Sequence, residues 1–247
     1  MSLAPESITA VVLAGGFGTR IKHLLGDLPK PMASVAGLPF VEWVVSYLAV
    51  QKIHNVILST GYLAETIECH FHSQPVKNIY VQCVPETNPL GTAGGFLNAS
   101  RHAAQRPDAW LVLNGDSLAL APLDELFESL AEPGLDGAIL GLPMADAARY
   151  GTISQDNHQI LTRFNEKKNG AGVINAGVYL FRASVVETFT NRVPLSFETD
   201  VFPELIACGN QIKVCVTSAP FLDIGTPESL SQAGTFIQQH KDFFKEN

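Results

Sequence analysis

The feature that most constrains this chain's fold lies near its start: a near-continuous apolar run over residues 8–13 ends abruptly at Leu13-Ala14-Gly15-Gly16-Phe17-Gly18-Thr19-Arg20. A strand without polar alternation suits burial on both faces, which requires helices on both sides of a sheet. Runs at 55–59, 79–84 and 109–113 read as further strands, and residues 40–51, 64–71 and 92–105 read as the helices between them. That alternation predicts an α/β chain, layered α/β/α around a mostly parallel sheet. After about residue 135 the rhythm changes. Strand-like runs at 137–142, 151–154, 160–164 and 173–181 follow with few helices between them, which predicts a mixed sheet. Helices over 199–208 and 227–245, with a strand at 212–216, complete the pattern. No linker, repeat or low-complexity tract interrupts it, so residues 1–247 are expected to form one domain.

Composition narrows the function classes. With 46% apolar residues the chain is not disordered, and no apolar stretch approaches the ~18 residues of a membrane span. The first apolar run is short and no Lys or Arg precedes it, unlike a secretory signal. Cys69, Cys83, Cys208 and Cys215 lack CxxC spacing and read as free thiols of a reduced, cytoplasmic protein. Asp and Glu outnumber Lys and Arg by 24 to 16, a net charge of −8, which disfavours nucleic acid and anionic membranes as partners. The cations are unevenly placed, however. Arg20, Lys22 and Lys30 fall close together, whereas residues 31–100 contain only Lys52 and Lys77. A cationic loop in an acidic chain suits either a small anionic ligand or plain solvation.

Glycines directly after a buried strand let the backbone approach a ligand and turn its N–H groups toward phosphate oxygens. The loop matches neither GxxxxGK[ST] nor GxGxxG, because Ile21 follows Gly18-Thr19-Arg20. Ten residues on, Pro29-Lys30-Pro31 restricts the backbone on both sides of Lys30, so its ammonium can be aimed at a fixed point.

LAGGFGTR followed by LPKP closely resembles the opening motif of the sugar-1-phosphate nucleotidyltransferases, and the resemblance extends over nearly the whole chain. Pro89-Leu90-Gly91-Thr92-Ala93-Gly94 resembles that family's base-binding turn, Asn114-Gly115-Asp116 its metal-binding NGD, and Tyr150-Gly151 the YG of its sugar pocket. Phe164-Asn165-Glu166-Lys167, Ile174-Asn175-Ala176-Gly177-Val178-Tyr179 and Leu222-Asp223-Ile224-Gly225-Thr226-Pro227 resemble its F-x-E-K, NAGxY and D-x-G-T-P segments. Ile21 replaces the usual Leu, residues 22–28 lack the common Pro-Leu-Thr pattern, and Lys168 stands where many members have Pro. Length and the variant FLDIGTPESL most resemble the D-glycero-α-D-manno-heptose-1-phosphate guanylyltransferases.

The resemblance implies a Rossmann-like nucleotidyltransferase fold, with a nucleotide-binding part over about 1–135 and a sugar-phosphate-binding part over about 136–247. It implies attack by a sugar 1-phosphate oxygen on the α-phosphorus of a nucleoside triphosphate, releasing pyrophosphate. The phosphate nucleophile is already ionised near neutral pH, so catalysis reduces to positioning two polyanions and neutralising their charge. On this reading Leu13, Ala14, Gly15, Gly16, Gly18, Thr19, Glu86, Gly91 and Thr92 bind the nucleotide, the backbone N–H groups of residues 15–19 cradling the triphosphate. Arg20 clamps the departing pyrophosphate, Lys30 bridges the two phosphates, and Asp116 and Asp223 hold Mg²⁺. Tyr150, Gly151, Glu166, Lys167, Asn175, Gly177 and Glu198 receive the sugar phosphate. GTP is the expected nucleotide, since a Glu86 carboxylate can accept both N–H donors on guanine's N1–N2 edge. Homo-oligomerisation is left open.

Blander readings compete. Asp116 also suits a turn and Glu198 a helix start, Thr226 is the natural cap of the helix at Pro227, and Glu166 suits a solvated strand end. His70 and His72 read as the frayed end of a surface helix rather than a metal pair, and Trp43 and Trp110 read as core. A non-catalytic sensor of the same fold would be expected to lose Arg20 or a metal carboxylate, and all are present. Mannose 1-phosphate or another hexose 1-phosphate is the alternative substrate. A metal-dependent glycosyltransferase would need an Asp-x-Asp that is missing.

Overall fold

The computed structural model describes residues 3–16, 18–165 and 169–245. The opening apolar run forms β1 (Ile8–Ala14), buried at every residue except the half-buried Leu13. Alternate side chains serve opposite faces of the sheet. Ala10 and Val12 join Phe40, Val41 and Val44 of helix α2 (Phe40–Val50), while Val11 joins Ala93 and Phe96 on the other side. The run is apolar because both faces are covered.

Between β1 and α2 lie the short helix α1 (Lys22–Leu25), a 3₁₀ turn over Lys30–Met32 and a hairpin of β2 (Ser34–Val35) and β3 (Leu38–Pro39). Then come β4 (Asn55–Thr60), α3 (Ala64–Ser73), β5 (Tyr80–Pro85), α4 (Thr92–Ser100) and β6 (Ala109–Asn114). These strands pair in parallel in the order β5-β4-β1-β6. Their carboxyl ends, at Pro85, Thr60, Ala14 and Asn114, therefore share one edge, where open α/β sheets bind ligands.

The rest of the chain adds β7 (Ser117–Ala119), α5 (Asp124–Ser129), β8 (Gly137–Met144), β9 (Thr152–Gln155), β10 (Leu161–Asn165), β11 (Gly172–Arg182), α6 (Ala183–Val186), α7 (Phe202–Ala207), β12 (Ile212–Val216), β13 (Phe221–Asp223) and α8 (Pro227–Gln239). β11 runs antiparallel to β6 and also pairs with β8 and β9, so nine of the described strands form one mixed sheet, with β2–β3 and β7–β13 as separate pairs. An aromatic cluster of Tyr179, Phe181, Phe197 and Phe202 packs β11 against α7 and the turn before it.

Several elements depart from the sequence expectation. The helix expected over 92–105 stops at Ser100, where Ser100 Oγ donates to Leu97 O and His102 Nδ1 lies 2.9 Å from Asn98 O. Side chains there compete for the carbonyls that continuation would use. The helix expected over 199–208 opens as a π turn, Phe197–Val201, in which Val201 N reaches back to Ser196 O at 3.0 Å. The helix expected over 227–245 ends at Gln239 and resumes as a 3₁₀ turn, Lys241–Phe244. Thr226 caps α8 as expected, its hydroxyl accepting from Ser229 N at 3.2 Å. His70 is no frayed end: its Nε2 sits 2.5 Å from Glu42 Oε2, and the largely buried pair ties α3 to α2.

Candidate active site

Asn114 ends β6, and the chain turns at once through Gly115, whose N–H donates to Leu13 O at 2.9 Å. A Cβ at Gly115 would lie 2.7 Å from that oxygen, so only glycine lets the Asn-Gly-Asp turn approach the end of β1 so closely. Asp116 follows. Lys30 begins the 3₁₀ turn between its two prolines, and its Nζ donates to Asp116 Oδ2 at 2.6 Å. The flanking prolines and the close packing of Gly18, where a Cβ would lie 2.7 Å from Lys30 Cβ, leave this side chain little choice of direction.

Asp223 reaches the same region by a different route. β13 pairs antiparallel with β7, setting Asp223 opposite Ser117, and Ile224 N donates to Asp116 O at 2.9 Å. Asp223 Oδ1 accepts from Gly225 N at 2.7 Å, while Oδ2 accepts from Tyr150 OH and Arg149 Nη2, both at 2.8 Å. A Cβ at Gly225 would meet Asp223 Oδ1 at 2.5 Å and lie 3.7 Å from Lys30 Nζ. The two aspartates thus come to one region: Asp116 bonds Lys30, and Asp223 shares the Gly225 turn with the lysine's ammonium. Burial, then the bond and charge of Asp223, push the Tyr150 phenol up to about 12, so it stays protonated and donates.

Beside this group opens a cavity of about 560 Å³ along the strand ends, an ordinary size for a small-molecule site. Its wall includes Leu13, Gly15, Gly16, Lys30, Glu86, Gly91, Thr92 and Asp116 from the predicted set, together with Tyr62 and Asn88. A side chain at Gly16 would meet nothing within 4 Å, so its backbone faces open space. Arg20 is exposed and makes no hydrogen bond or ion pair with the described residues, leaving its five donors available. Glu86 turns inward: Oε1 accepts from Ser59 Oγ at 2.9 Å and Oε2 from Leu90 N at 3.3 Å. Gly95 makes room for it, since a Cβ there would lie 2.4 Å from Oε1.

The described sugar-phosphate candidates lie outside that cavity's wall. Asn175 Oδ1 accepts from Gly177 N at 2.8 Å, and its Nδ2 donates to Tyr179 OH at 2.7 Å. Tyr179 OH in turn donates to Glu198 Oε1 at 3.1 Å. Complete burial, reinforced by the Glu198 charge, holds the Tyr179 phenol well above its ordinary value. Gly177, at φ +73°, packs so closely on Asn114 that a Cβ would lie 2.4 Å from Asn114 Nδ2. Gly151 O accepts from Asn175 N at 3.1 Å. Thr19 is exposed beside Arg20, Ala14 is buried in β1, and Glu166 and Lys167 lie outside the described residues.

Sequence reasoning missed Arg149 and Ser59 as members of the site. The signal for Arg149 was a lone base directly before Tyr150-Gly151; Ser59 gave none, being a small polar residue at the end of an apolar strand. Among the described residues no group of three or more His, Cys, Asp and Glu side chains could hold a metal alone. Two aspartates that each already carry a cationic side chain do fit a hard cation that completes its shell from substrate phosphates.

A Rossmann-like sheet, a glycine loop at its carboxyl edge and two aspartates beside a lysine define a nucleotidyl-transfer architecture. The chain belongs to the nucleotidyl transferase family, whose model matches residues 9–240. It is 32% identical over 231 residues to D-glycero-alpha-D-manno-heptose 1-phosphate guanylyltransferase from Aneurinibacillus thermoaerophilus, covering 94% of this chain and 99% of that protein. It is 34% identical over 229 residues to mannose-1-phosphate guanylyltransferase from Mycobacterium tuberculosis, covering 92% of this chain but only 63% of that longer protein. The crystal structure of HddC from Yersinia pseudotuberculosis complexed with GMP-PN superposes with a TM-score of 0.80 at 33% identity, covering 92% of this chain and 98% of that one. No described helix is long and apolar enough to cross a membrane.

Proposed function

We propose that this chain joins a sugar 1-phosphate, best read as a manno-heptose 1-phosphate, to GTP, giving a GDP-sugar and pyrophosphate. The observation that carries the reading is the convergence of Lys30, Asp116 and Asp223 beside the cavity bounded by Gly15, Gly16 and Glu86. The names of the relatives that match this chain along nearly all of both lengths support the heptose and the guanine. The mannose-1-phosphate relative supports mannose 1-phosphate as the alternative sugar.

On this reading the backbone N–H groups of the loop at residues 15–19 receive the triphosphate, and Arg20 swings its unengaged fork onto the phosphates that leave. Lys30, released from Asp116, screens the repulsion between the sugar phosphate and the α-phosphate, whose mutual approach is the main barrier. Asp116 and Asp223 would hold Mg²⁺, which supplies charge neutralisation at the phosphoryl oxygens. Tyr150 holds Asp223 in place by donating to Oδ2. Lys167 is assigned to the sugar phosphate, and Glu166, Asn175, Gly177 and Glu198 to its hydroxyls. Glu86 reads guanine: its two oxygens each accept one protein bond and keep a further lone pair for the base's N1–H and N2–H. We assign nucleotide binding to residues of about 1–135 and sugar-phosphate binding to about 136–247, within one domain. The four free thiols support a cytoplasmic location, and homo-oligomerisation stays compatible with the reading.

The test is pyrophosphate release measured with four nucleoside triphosphates against heptose and hexose 1-phosphates. GTP with D-glycero-α-D-manno-heptose 1-phosphate should give the highest kcat/KM. A higher value for mannose 1-phosphate replaces the sugar assignment, and equal values for GTP and ATP refute guanine selectivity. In Glu86→Ala the GTP preference should fall by ~30- to 150-fold; an unchanged preference removes Glu86 as its source.

A further inference from the structure

Thr92 opens helix α4 at the turn assigned to the base and lines the cavity, yet its hydroxyl is engaged by the segment at residues 197–198. Oγ1 accepts from Phe197 N at 3.0 Å and lies 3.4 Å from Glu198 Oε2 as donor. The segment it meets is strapped to the same turn by backbone bonds. Leu195 N donates to Leu90 O at 2.8 Å, and Leu195 O accepts from Ala93 N and Gly94 N at 3.0 and 3.1 Å, satisfying two of the helix's orphan donors. Gly91, at φ +80°, makes the approach feasible, because a Cβ there would lie 2.4 Å from Leu195 O. Beyond Leu195 the chain enters the π turn that carries Glu198. Such turns are frequent at functional sites, where they re-aim a side chain.

The Glu198 carboxylate is held from three directions by neutral hydroxyls: Ser196 Oγ at 3.0 Å and Thr92 on Oε2, and Tyr179 on Oε1. Tyr179 is itself fixed by Asn175. A carboxylate accepts about four bonds, so three hydroxyl donors orient it and leave acceptor capacity for one more donor.

We infer that Thr92 is a positioning residue for the sugar side of the reaction, setting the Glu198 carboxylate through the 195–198 strap, rather than a nucleotide contact. The inference rests on the proposed role of Glu198 toward a sugar hydroxyl. It makes the base turn and the sugar carboxylate one mechanical unit, so a change at Thr92 is felt by the substrate it does not touch.

The test is steady-state kinetics of Thr92→Val, Thr92→Ser, Glu198→Gln and the Thr92→Val/Glu198→Gln double variant, with GTP and the preferred sugar 1-phosphate each varied. Thr92→Val should raise KM for the sugar 1-phosphate roughly tenfold while KM for GTP moves less than about twofold, and Thr92→Ser should recover most of the loss. The double variant should be little worse than Glu198→Gln alone, since both changes remove one function. Thr92→Ala carries the same prediction if Thr92→Val does not fold. A KM for GTP that rises as much as that for the sugar, or additive losses in the double variant, overturns the inference. If Glu198→Gln raises the sugar KM but neither Thr92 variant does, the inference fails while the role of Glu198 stands. If Glu198→Gln leaves the sugar KM unchanged, that role fails and takes the inference with it.

Discussion

Lys30 and Asp116 form an ion pair whose ammonium side is 11% exposed and whose carboxylate side is 45% exposed. With its carboxylate half open to water, the pair contributes little to folding. In the proposed reaction its value lies in holding two charges where the phosphates would bind. Asp116→Asn is therefore expected to leave the thermal unfolding midpoint almost unchanged, and Asp223→Asn to lower it modestly, because Asp223 also accepts from Gly225, Tyr150 and Arg149; both should abolish Mg²⁺-dependent turnover. Near-normal turnover in either variant at ordinary Mg²⁺ would sink the metal assignment. Arg20, without a partner among the described residues, contributes nothing visible to the fold, so its conservative change reads chemistry alone. Arg20→Lys keeps the charge but loses the planar fork, and turnover should drop ~10²-fold, about 2.7 kcal/mol of barrier. A loss below about threefold would make Arg20 a distant charge at most. Lys30 was legible in the sequence because two prolines advertise a fixed backbone. Ser59 was not, because its role depends on Glu86 arriving from the end of the neighbouring strand, β5.

At the scale of elements, long and strongly patterned segments were the readable ones. β1, β4, β5, β6 and α2 stand where the apolar periodicity placed them, since burial on one or both faces leaves its period in the sequence. β7 and β13 were not readable, being three residues each, too short to show any period. Yet their pairing is what brings Asp223 opposite Ser117 and beside Asp116. The strap at residues 195–198 was equally hidden. Apart from those of the Thr92 hydroxyl, its bonds to α4 and the turn before it are made by backbone groups, which every residue carries, and Gly91 betrays the close approach. Gly91→Ala should accordingly destabilise the protein by about 1–3 kcal/mol, combining strain at φ +80° with a backbone overlap at Leu195. A denaturant midpoint indistinguishable from that of the native chain would show that the strap yields without cost.

The whole molecule carries a net charge of −8 and is read here as binding two polyanions, which its average field opposes. Binding must therefore come from the local cations at the strand ends, Lys30 and Arg20 above all, and from backbone N–H groups. That arrangement needs no activated nucleophile, in keeping with a sugar phosphate that attacks already ionised. The family was legible from the order of seven motifs along the chain. The sugar was not, because the residues proposed to meet its hydroxyls, Asn175 and Glu198 among them, are of types that recur for many sugars. In the proposed reaction a sugar phosphate oxygen displaces pyrophosphate at the α-phosphorus. Sugar 1-phosphate carrying ¹⁸O in its non-bridging positions, incubated with GTP and followed by mass spectrometry, tests it most directly. All of the label should appear in the nucleotide sugar and none in the pyrophosphate. Label in pyrophosphate, or consumption of GTP without a labelled nucleotide sugar, would contradict it.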